Sequence, residues 1–500
     1  MNELDYNKIL LKNLWWLALI ILVALWFHFD LNFNSAFPLE NATMLKGRLI
    51  TNGEGSNIIH DNYSLPVFTL LYSFGGLIIS RISSLILSFL MLFFFYKFTY
   101  RLLQDKLASI FAVIFLAILA PIIFISKFAS VDILSLTFFT IFLMISSEII
   151  TIEDRKKRVP FVNIQKQYFC PIMASLFLAL AIFSNYILIL FIIPAIVILF
   201  FNDKKSAIYF TLSSIILIMI IYFLNSKLIN HQLSSIPLIS HESIKFSKLL
   251  VRIAEYIAIP IMISYSALQI LWKTNIKSSW IYTLLLLSLI IPLYIIIAYD
   301  VFNIYRFISF SLILLVPLCG LVISKFIMIN PNYKYATIFV LFFIVVLSYW
   351  HLTKLENAYP DTTEITKYCE DNFDNNSIVY SEDPFLLSNH FYPKMNINNF
   401  KNIYFTNTKN LSVNDNKEFI INQIDNGMFD YVILNGLFHK EFSELLKDKY
   451  LNHKYSKLMK TEIKINSLMY PLTEEENYFE IYKIDLEYKL LRKFLAKKSN

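Results

Sequence analysis

Residues 131–150 read VDILSLTFFTIFLMISSEII, a stretch whose only charged side chains are Asp132 near its start and Glu148 near its end. A helix of about 20 apolar residues crosses a hydrocarbon core about 30 Å thick. The stretch therefore predicts a transmembrane helix with a carboxylate at each end. Ten further apolar stretches precede residue 354, and the predicted spans are 13–29, 82–100, 107–126, 131–150, 168–184, 186–201, 207–225, 256–272, 280–298, 308–326 and 336–353.

The composition agrees with a membrane protein and excludes a soluble one of this length. Of the 500 residues, 57% are hydrophobic and only 16% are charged. The apolar stretches are continuous, whereas the strands of a transmembrane barrel alternate apolar and polar residues. The sequence thus predicts a polytopic α-helical membrane protein with about 11 transmembrane helices. The formal net charge of the chain is +7. It does not imply a nucleic-acid partner, because the cytoplasmic loops of membrane proteins carry an excess of Lys and Arg.

Basic residues predict the orientation in the membrane. The cluster at 155–158 (RKKR) joins the fourth and fifth predicted spans, and Lys8, Lys12, Lys204 and Lys205 fall on the same side. Because loops on the cytoplasmic side are enriched in Lys and Arg, this side is predicted to be cytoplasmic. The N-terminus then lies in the cytoplasm, the C-terminal residues are extracytoplasmic, and the protein is expected in the cytoplasmic (inner) membrane.

Two domains follow from this arrangement. Residues 1–353 form the predicted transmembrane domain, with an outer loop at 30–81 whose apolar half, 66–79, is too short to span and is predicted to lie in the interface. Residues 354–500 are predicted to form an extracytoplasmic α/β domain. Its predicted strands are 377–380, 431–434 and 478–482, and its predicted helices include 418–424 and 441–446.

Three carboxylates on the predicted outer side are candidates for catalysis: Glu40, Asp61 and Asp132. Each also has a structural interpretation. Asp132 is placed where a helix N-terminus favours negative charge, so it is equally a capping residue. Glu40 is otherwise an exposed loop acid or an N-terminal helix residue after Pro38, and Asp61 a loop residue.

Three cations on the same side, Arg81, Lys127 and Arg306, are candidates for binding a phosphate group. Arginine suits this task because its planar fork binds phosphate through two hydrogen bonds. For Arg81 and Arg306 the alternative is simple anchoring at the membrane interface. His28, beside Trp26 and Phe27, is interpreted as an interface residue only.

The order of these motifs resembles that of the GT-C superfamily of membrane glycosyltransferases, with protein O-mannosyltransferases and aminoarabinose transferases as the most similar types. The resemblance covers roughly residues 13–326 and rests on the following segments of this chain: Leu39-Glu40, Leu65-Pro66 through Gly75-Gly76, Arg81-Ile82-Ser83-Ser84-Leu85, Ser130-Val131-Asp132 followed by Phe138-Phe139, and Arg306-Phe307 through Pro317.

The resemblance implies a sugar donor carried on polyprenyl phosphate and an acceptor that is a glycan, a lipid or a protein. A carboxylate would remove the proton of the acceptor hydroxyl, which attacks the anomeric carbon with inversion. Arg81, Lys127 and Arg306 would neutralise the departing phosphate. No cofactor is implied, and a requirement for a divalent cation is left open.

One departure from the family pattern keeps alternatives open. The first family motif is Asp-Glu, with Asp as the catalytic carboxylate, and Leu39 takes the place of that Asp. Either Glu40 acts as the base, or Asp61 or Asp132 replaces it, or the chain is an inactive member kept for assembly. A non-enzymatic transporter or scaffold for lipid-linked glycans is the alternative from another class. Transporters place ionisable residues near the bilayer midplane, however, and here they flank the spans.

Overall fold

The structure is a computed structural model that describes residues 15–32, 35–53, 66–151, 165–224, 246–271, 279–298, 304–329, 333–357, 361–383, 385–401, 413–435, 440–451, 454–463, 477–485 and 487. The candidate Asp61 and the basic cluster at 155–158 lie outside these residues.

The helices occur along the whole described chain. They are α1 (Trp15–Phe29), α2 (Pro38–Thr51), α3 (Leu77–Leu103), α4 (Lys106–Ala117), α5 (Ala120–Lys127), α6 (Asp132–Thr151), α7 (Lys166–Ser184), α8 (Ile192–Asn202), α9 (Lys204–Leu224), α10 (Phe246–Leu271), α11 (Ser279–Ser288), α12 (Ile290–Ala298), α13 (Ile304–Ile329), α14 (Tyr333–Glu356), α15 (Thr363–Asn372), α16 (Leu386–Phe391), α17 (Val413–Asp425) and α18 (Lys440–Leu446).

Shorter elements complete the described structure. Three 3-10 helices cover Pro66–Tyr72, Tyr186–Phe191 and Ile397–Asn399, and one π-helical turn covers Lys447–Leu451. The strands are β1 (Val379–Ser381), β2 (Phe400–Lys401), β3 (Tyr431–Leu434), β4 (Tyr455–Ile463) and β5 (Asn477–Ile484).

The chain divides into two compact units, which are described separately. The first holds the described residues up to Leu31 and those from Pro66 to Leu355. The second holds the described residues from Asn32 to Gly53 together with those from Glu356 onward. The sequence predicts that the residues of helix α2 belong to the transmembrane domain. In the structure this helix belongs to the same compact unit as the C-terminal residues.

The first unit is a helical bundle of a multi-pass membrane protein. Among the described residues, seven helices are long and apolar enough to cross a membrane, namely α3, α6, α7, α9, α10, α13 and α14. The bent pair α4–α5 raises this number to eight, and α1, the 186–202 segment and the α11–α12 segment are shorter apolar helices. Each of the eleven predicted spans overlaps helical residues in the described part of the chain. The predicted count of eleven spans is nevertheless not confirmed.

Helix α13 is the central element of this bundle. Its side chains from Ile304 to Leu321 are all buried, although most other long helices expose an apolar face. It approaches α4 so closely that a Cβ on Gly320 would lie 2.3 Å from the carbonyl oxygen of Ala108. A helix held this firmly provides a rigid support for Arg306 in its first turn.

A break between α4 and α5 turns the chain by 68°. Proline explains the break: the Ala117 carbonyl would accept from residue 121 in a continuous helix, and Pro121 has no N–H to donate. His28 donates from Nε2 to the Ala117 oxygen at 2.9 Å, and its Nδ1 is 2.5 Å from Ser126 Oγ. The interpretation of His28 as an interface residue only was incomplete, because the buried ring supplies the donor that proline removes.

The predicted interfacial segment at 66–79 also differs in detail. A 3-10 helix ends at Tyr72, the backbone turns at Gly75 with φ +83°, and α3 begins at Leu77. A positive φ is inexpensive only for glycine, so Gly75 separates two helices where the sequence predicted one. Arg81 consequently lies in the second turn of α3 rather than at the end of a loop.

The second unit contains a five-stranded mixed sheet in the order β2-β1-β3-β5-β4. Strand β1 is parallel to β2 and β3, whereas β5 is antiparallel to β3 and β4. Apolar clusters fill both faces of the sheet: Ile365, Leu386 and Phe391 belong to one, and Ile420, Leu446 and Tyr482 to the other. The three predicted strands and both predicted helices are confirmed, and β2 and β4 were missed.

Candidate active site

The candidate site of the first unit begins with the turn before α6. Asp132 is the first residue of that helix, where the macrodipole favours a negative charge. The Ser130 hydroxyl donates to Asp132 Oδ2 at 2.8 Å. Both residues are buried, with 1% and 2% of the whole residue exposed. The sequence pattern Ser-Val-Asp thus places a hydroxyl donor two residues before a carboxylate at the helix N-terminus.

Arg306 forms a bidentate ion pair with this carboxylate. Its Nε donates to Oδ2 and its Nη2 to Oδ1, both at 2.8 Å. The side chains of Arg306 and Asp132 are only 9% and 3% exposed. A fork-to-fork pair of this kind is strong and directional, and burial makes each partner depend on the other. The first turn of α13 and the first turn of α6 are therefore linked by charge.

A fourth hydrogen bond completes the shell of the carboxylate. Asn185 follows α7, and its Nδ2 donates to Asp132 Oδ1 at 3.4 Å while its Oδ1 accepts from the Ile187 N–H. The Asp132 oxygens thus accept from Ser130, Asn185 and twice from Arg306. A carboxylate offers about four lone-pair positions, so these donors occupy them all.

The turn that carries Ser130 is held by a second set of hydrogen bonds. Tyr72 Oη, at the end of the first 3-10 helix, donates to the Ser130 carbonyl oxygen at 2.6 Å. Ser84 Oγ, on α3, donates to the Phe128 carbonyl oxygen at 2.8 Å. Residues 128–131 are consequently fixed from two elements, which keeps the entrance of α6 in one conformation.

Two further predicted cations occupy the same unit. Arg81 is fully buried on α3, and its Nη1 donates to the Leu31 carbonyl oxygen just after α1 at 2.8 Å. Lys127 is the last residue of α5 and is 1% exposed, at a helix C-terminus where positive charge is favoured. Neither side chain is exposed as a simple anchoring residue would be.

Glu40 belongs to the second unit. It lies in the first turn of α2, two residues after Pro38, and its Oε2 accepts from the Phe37 N–H at 3.1 Å. Its side chain is fully buried. The interpretation as an exposed loop acid is wrong, because Pro38 begins a helix here; the alternative interpretation as an N-terminal helix residue is confirmed.

Sequence reasoning missed Asn185 and Tyr72 as members of the Asp132 network. Asn185 had a detectable signal, since it is a polar amide between two apolar stretches. Tyr72 had none, because aromatic residues are common throughout this chain. Among the described residues, no group of three His, Cys, Asp or Glu side chains is arranged to hold a metal ion.

Comparison by sequence finds no relative: no family model matches the chain, and no curated protein matches it. Comparison by structure does. The chain has the fold of the GT-C membrane glycosyltransferases, which confirms the predicted resemblance at the level of fold.

Three solved structures define this likeness. ArnT of Cupriavidus metallidurans bound to undecaprenyl phosphate matches with a TM-score of 0.55 and 10% identity, over 94% of this chain and 98% of that one. The apo state of the same protein matches with a TM-score of 0.56 and 11% identity, over 93% and 97%. The apo oligosaccharyltransferase of Archaeoglobus fulgidus matches with a TM-score of 0.50 and 11% identity, over 89% and 73%.

Proposed function

We propose that the chain is a glycosyltransferase that moves a sugar from a polyprenyl-phosphate donor to an acceptor hydroxyl at the extracytoplasmic face of the membrane. The supporting observation is a fold shared with ArnT over 94% of the chain, the ArnT structure being bound to undecaprenyl phosphate. A buried Asp132–Arg306 pair inside that fold supplies a charged centre that structural stability alone does not require.

Arg306 is proposed to bind the donor phosphate, and Asp132 to orient it. Two hydrogen bonds from its Nε and Nη2 to the Asp132 carboxylate fix the plane of the guanidinium, and this planar group suits bidentate recognition of phosphate. Because α13 is buried along most of its length, the guanidinium position is set before the substrate arrives. Arg81 and Lys127 are proposed as additional cations for the phosphate.

The proposed base is Glu40, with Asp61 as the alternative. Asp132 is a poorer base in this geometry, because its four lone-pair positions already accept hydrogen bonds. Its catalytic role in this proposal is therefore positional. Leu39 beside Glu40 leaves a single carboxylate at the position where the family motif has two.

The proposed reaction is a single displacement. The base takes the proton of the acceptor hydroxyl, and the acceptor oxygen forms a bond to the anomeric carbon. The bond between that carbon and the phosphate oxygen breaks, and polyprenyl phosphate leaves with both bonding electrons, neutralised by Arg306. The configuration at the anomeric carbon is inverted. The acceptor is a glycan, a lipid or a protein.

The proposal is tested by mass spectrometry of lipids that co-purify with the protein in detergent. The wild type is compared with the double variant Asp132→Asn, Arg306→Gln, which removes both charges while keeping a polar side chain at each position. A polyprenyl-phosphate sugar bound to the wild type and lost from the double variant supports the donor class. Arg101→Gln is the matched control, because this arginine pairs with a carboxylate at the opposite end of α6.

Transfer is then measured by adding candidate acceptors to the purified complex in liposomes. Disappearance of the lipid-linked sugar together with a glycosylated acceptor supports a transferase. Movement of the intact lipid-linked sugar across the vesicle without cleavage would instead establish the transporter alternative. A bound donor that no acceptor consumes, in wild type and Glu40→Gln alike, would establish an inactive member of the fold.

A further inference from the structure

Helix α2, which carries Glu40, is too short to hold its own conformation. It has 14 residues, and isolated helices of about 12–15 residues are marginal in water. Its order must therefore come from packing. Within the second unit, that packing is provided by residues about 340 positions further along the chain, around α16.

Three hydrogen bonds connect α2 with this segment. Asn389 Nδ2 donates to Asn41 Oδ1 at 2.9 Å, Arg48 Nη1 donates to the Asn389 carbonyl oxygen at 3.2 Å, and Asn52 Nδ2 donates to Tyr392 Oη at 2.8 Å. They engage the beginning, the third turn and the end of the helix. A contact at each end prevents α2 from pivoting about its centre.

Apolar contacts lie along the same face. Leu45 and Leu49 are fully buried and form one cluster with Tyr392, against which Phe385 packs. At 100° per residue, positions 41, 45, 48, 49 and 52 fall within an arc of about 100°. Glu40 lies about 80° outside this arc. The face that docks on the C-terminal residues is thus separate from the position of Glu40.

The residues just before α2 also form hydrogen bonds within the second unit. Ser35 Oγ accepts from the Thr362 N–H at 2.9 Å, just before α15. The Asn41 side chain also donates to the Ala36 carbonyl oxygen at 3.2 Å. The residues on both sides of Glu40 therefore have hydrogen-bond partners within the second unit. Several of these partners belong to the C-terminal residues.

We infer that Asn389 and Tyr392 of the C-terminal domain are positioning residues for the proposed transfer reaction, because they fix the helix that presents Glu40. This inference rests on the proposed function. It gives the C-terminal domain a role in the rate of the reaction that a folded cap would not have. Since a shift of about 1 Å in a reacting group costs about 100-fold in rate, loss of these contacts is expected to lower kcat.

The test is a double-mutant cycle on transfer kinetics in liposomes. Asn389→Leu is expected to lower kcat about 10- to 100-fold, with KM for the lipid donor little changed. Asn41→Leu is expected to act in the same direction. Combining them should recover much of the rate, because two apolar side chains leave no buried amide unpaired. Asn422→Leu, at an exposed amide on α17, is the matched control.

Hydrogen exchange supplies a readout that does not depend on activity. In Asn389→Leu, amides of residues 41–51 should exchange faster, whereas those of β3 should keep the wild-type rate. Tyr392→Phe removes one hydroxyl only and repeats the test if the leucine variants fail to fold. Faster exchange in α2 with an unchanged kcat would overturn the inference and leave the proposed function intact.

Two other results are equally decisive. If the Asn422→Leu control slows transfer as much as Asn389→Leu does, the effect is not specific to α2 and the inference fails. If the wild type shows no transfer with any acceptor, the proposed function itself fails. That failure is visible in the wild type before any variant is compared.

Discussion

The two ends of helix α6 carry the same kind of contact in different surroundings. At its N-terminus Asp132 pairs with Arg306, and the side chains are 3% and 9% exposed. In its last turn Glu148 pairs with Arg101 at 3.0 Å and with Lys166 at 3.3 Å, and these side chains are 25–32% exposed. Each end thus joins α6 to other helices through a carboxylate.

The difference between the two ends separates an ordinary ion pair from a candidate site. Glu148 lies where the helix dipole disfavours negative charge, and two partly exposed cations compensate for it. Asp132 lies where the dipole favours it and needs less compensation, yet it has a buried bidentate partner and two further donors. Burying such a pair costs desolvation energy that a stable fold does not require. The buried polar contacts of Asp132 are the reason for proposing it as part of the site, whereas the partly exposed contacts of Glu148 have an ordinary structural explanation.

The largest expected effect comes from breaking the buried pair. Asp132→Asn removes the bidentate carboxylate that the buried Arg306 guanidinium binds, which is expected to cost about 3–5 kcal/mol of folding free energy and to abolish transfer. Thermal unfolding in detergent and the transfer assay measure the two effects. The double variant Asp132→Asn, Arg306→Gln should recover stability but not transfer. An unchanged melting temperature in Asp132→Asn would contradict the assignment of a coupled pair.

A smaller effect is expected from Ser130→Ala. This change removes a 2.8 Å hydrogen bond to a charged carboxylate, and such bonds contribute about 1.5–3 kcal/mol. The ion pair itself remains, so the loss of stability should be less than that of Asp132→Asn. Ser83→Ala is the control, because the Ser83 hydroxyl donates to the Ile79 carbonyl of its own helix. Equal losses in both variants would show that Ser130 does not support the site.

The features of α6 that depend on neighbouring residues alone could be predicted from the sequence. The apolar stretch at 131–150 predicts α6, and the position of Asp132 at its start follows from the helix dipole. The partner of Asp132 was not predictable, because Arg306 lies 174 residues away and only the packing of α13 brings it close. The sequence predicts Arg306 to be a phosphate ligand. Its pairing with the Asp132 carboxylate is a feature of the tertiary structure.

The same limit explains why two interpretations of Glu40 stayed open in the sequence. The segment Pro38-Leu39-Glu40-Asn41 is compatible with a loop or with a helix start. The helix forms because α2 packs against residues near Asn389. The strand β4 was missed because Tyr455–Ile463 contains Lys457, Lys460 and Glu462, and this charged pattern does not resemble a buried strand. Edge strands often carry lysine, since the charge prevents further pairing.

The ion pairs of Glu480 in the second unit are expected to contribute to stability by an amount between those of Asp132 and Glu148. Burial disfavours its charge, but hydrogen bonds and charges from Lys447 and Lys457 outweigh that effect and lower the pKa of Glu480 below its usual value of 4.5. A lowered pKa stabilises the fold at pH values above about 4.5, and this contribution is lost as the pH falls through the pKa of the folded state. Because Lys457 is 40% exposed, the contribution should be about 1 kcal/mol.

Glu480→Gln tests the predicted direction of this pH dependence. At neutral pH the wild type should melt at a higher temperature than the variant. The difference should shrink as the pH is lowered through the range below about 4.5, where the wild-type carboxylate takes up a proton. Unfolding of the full chain in detergent at a series of pH values measures it. A difference that grows on acidification would contradict the lowered pKa.

The smallest effect is expected at the other end of α6. Glu148→Gln breaks contacts whose partners are about one-third exposed, so the expected loss is about 0.2–1 kcal/mol and should diminish as salt is added. Transfer should be unchanged. Because Glu148 and Asp132 share one helix, this variant also controls for any general disturbance of α6. If Glu148→Gln proves as damaging to transfer as Asp132→Asn, the effect of both is on the helix as a whole, and the Asp132–Arg306 pair loses its claim to be the site.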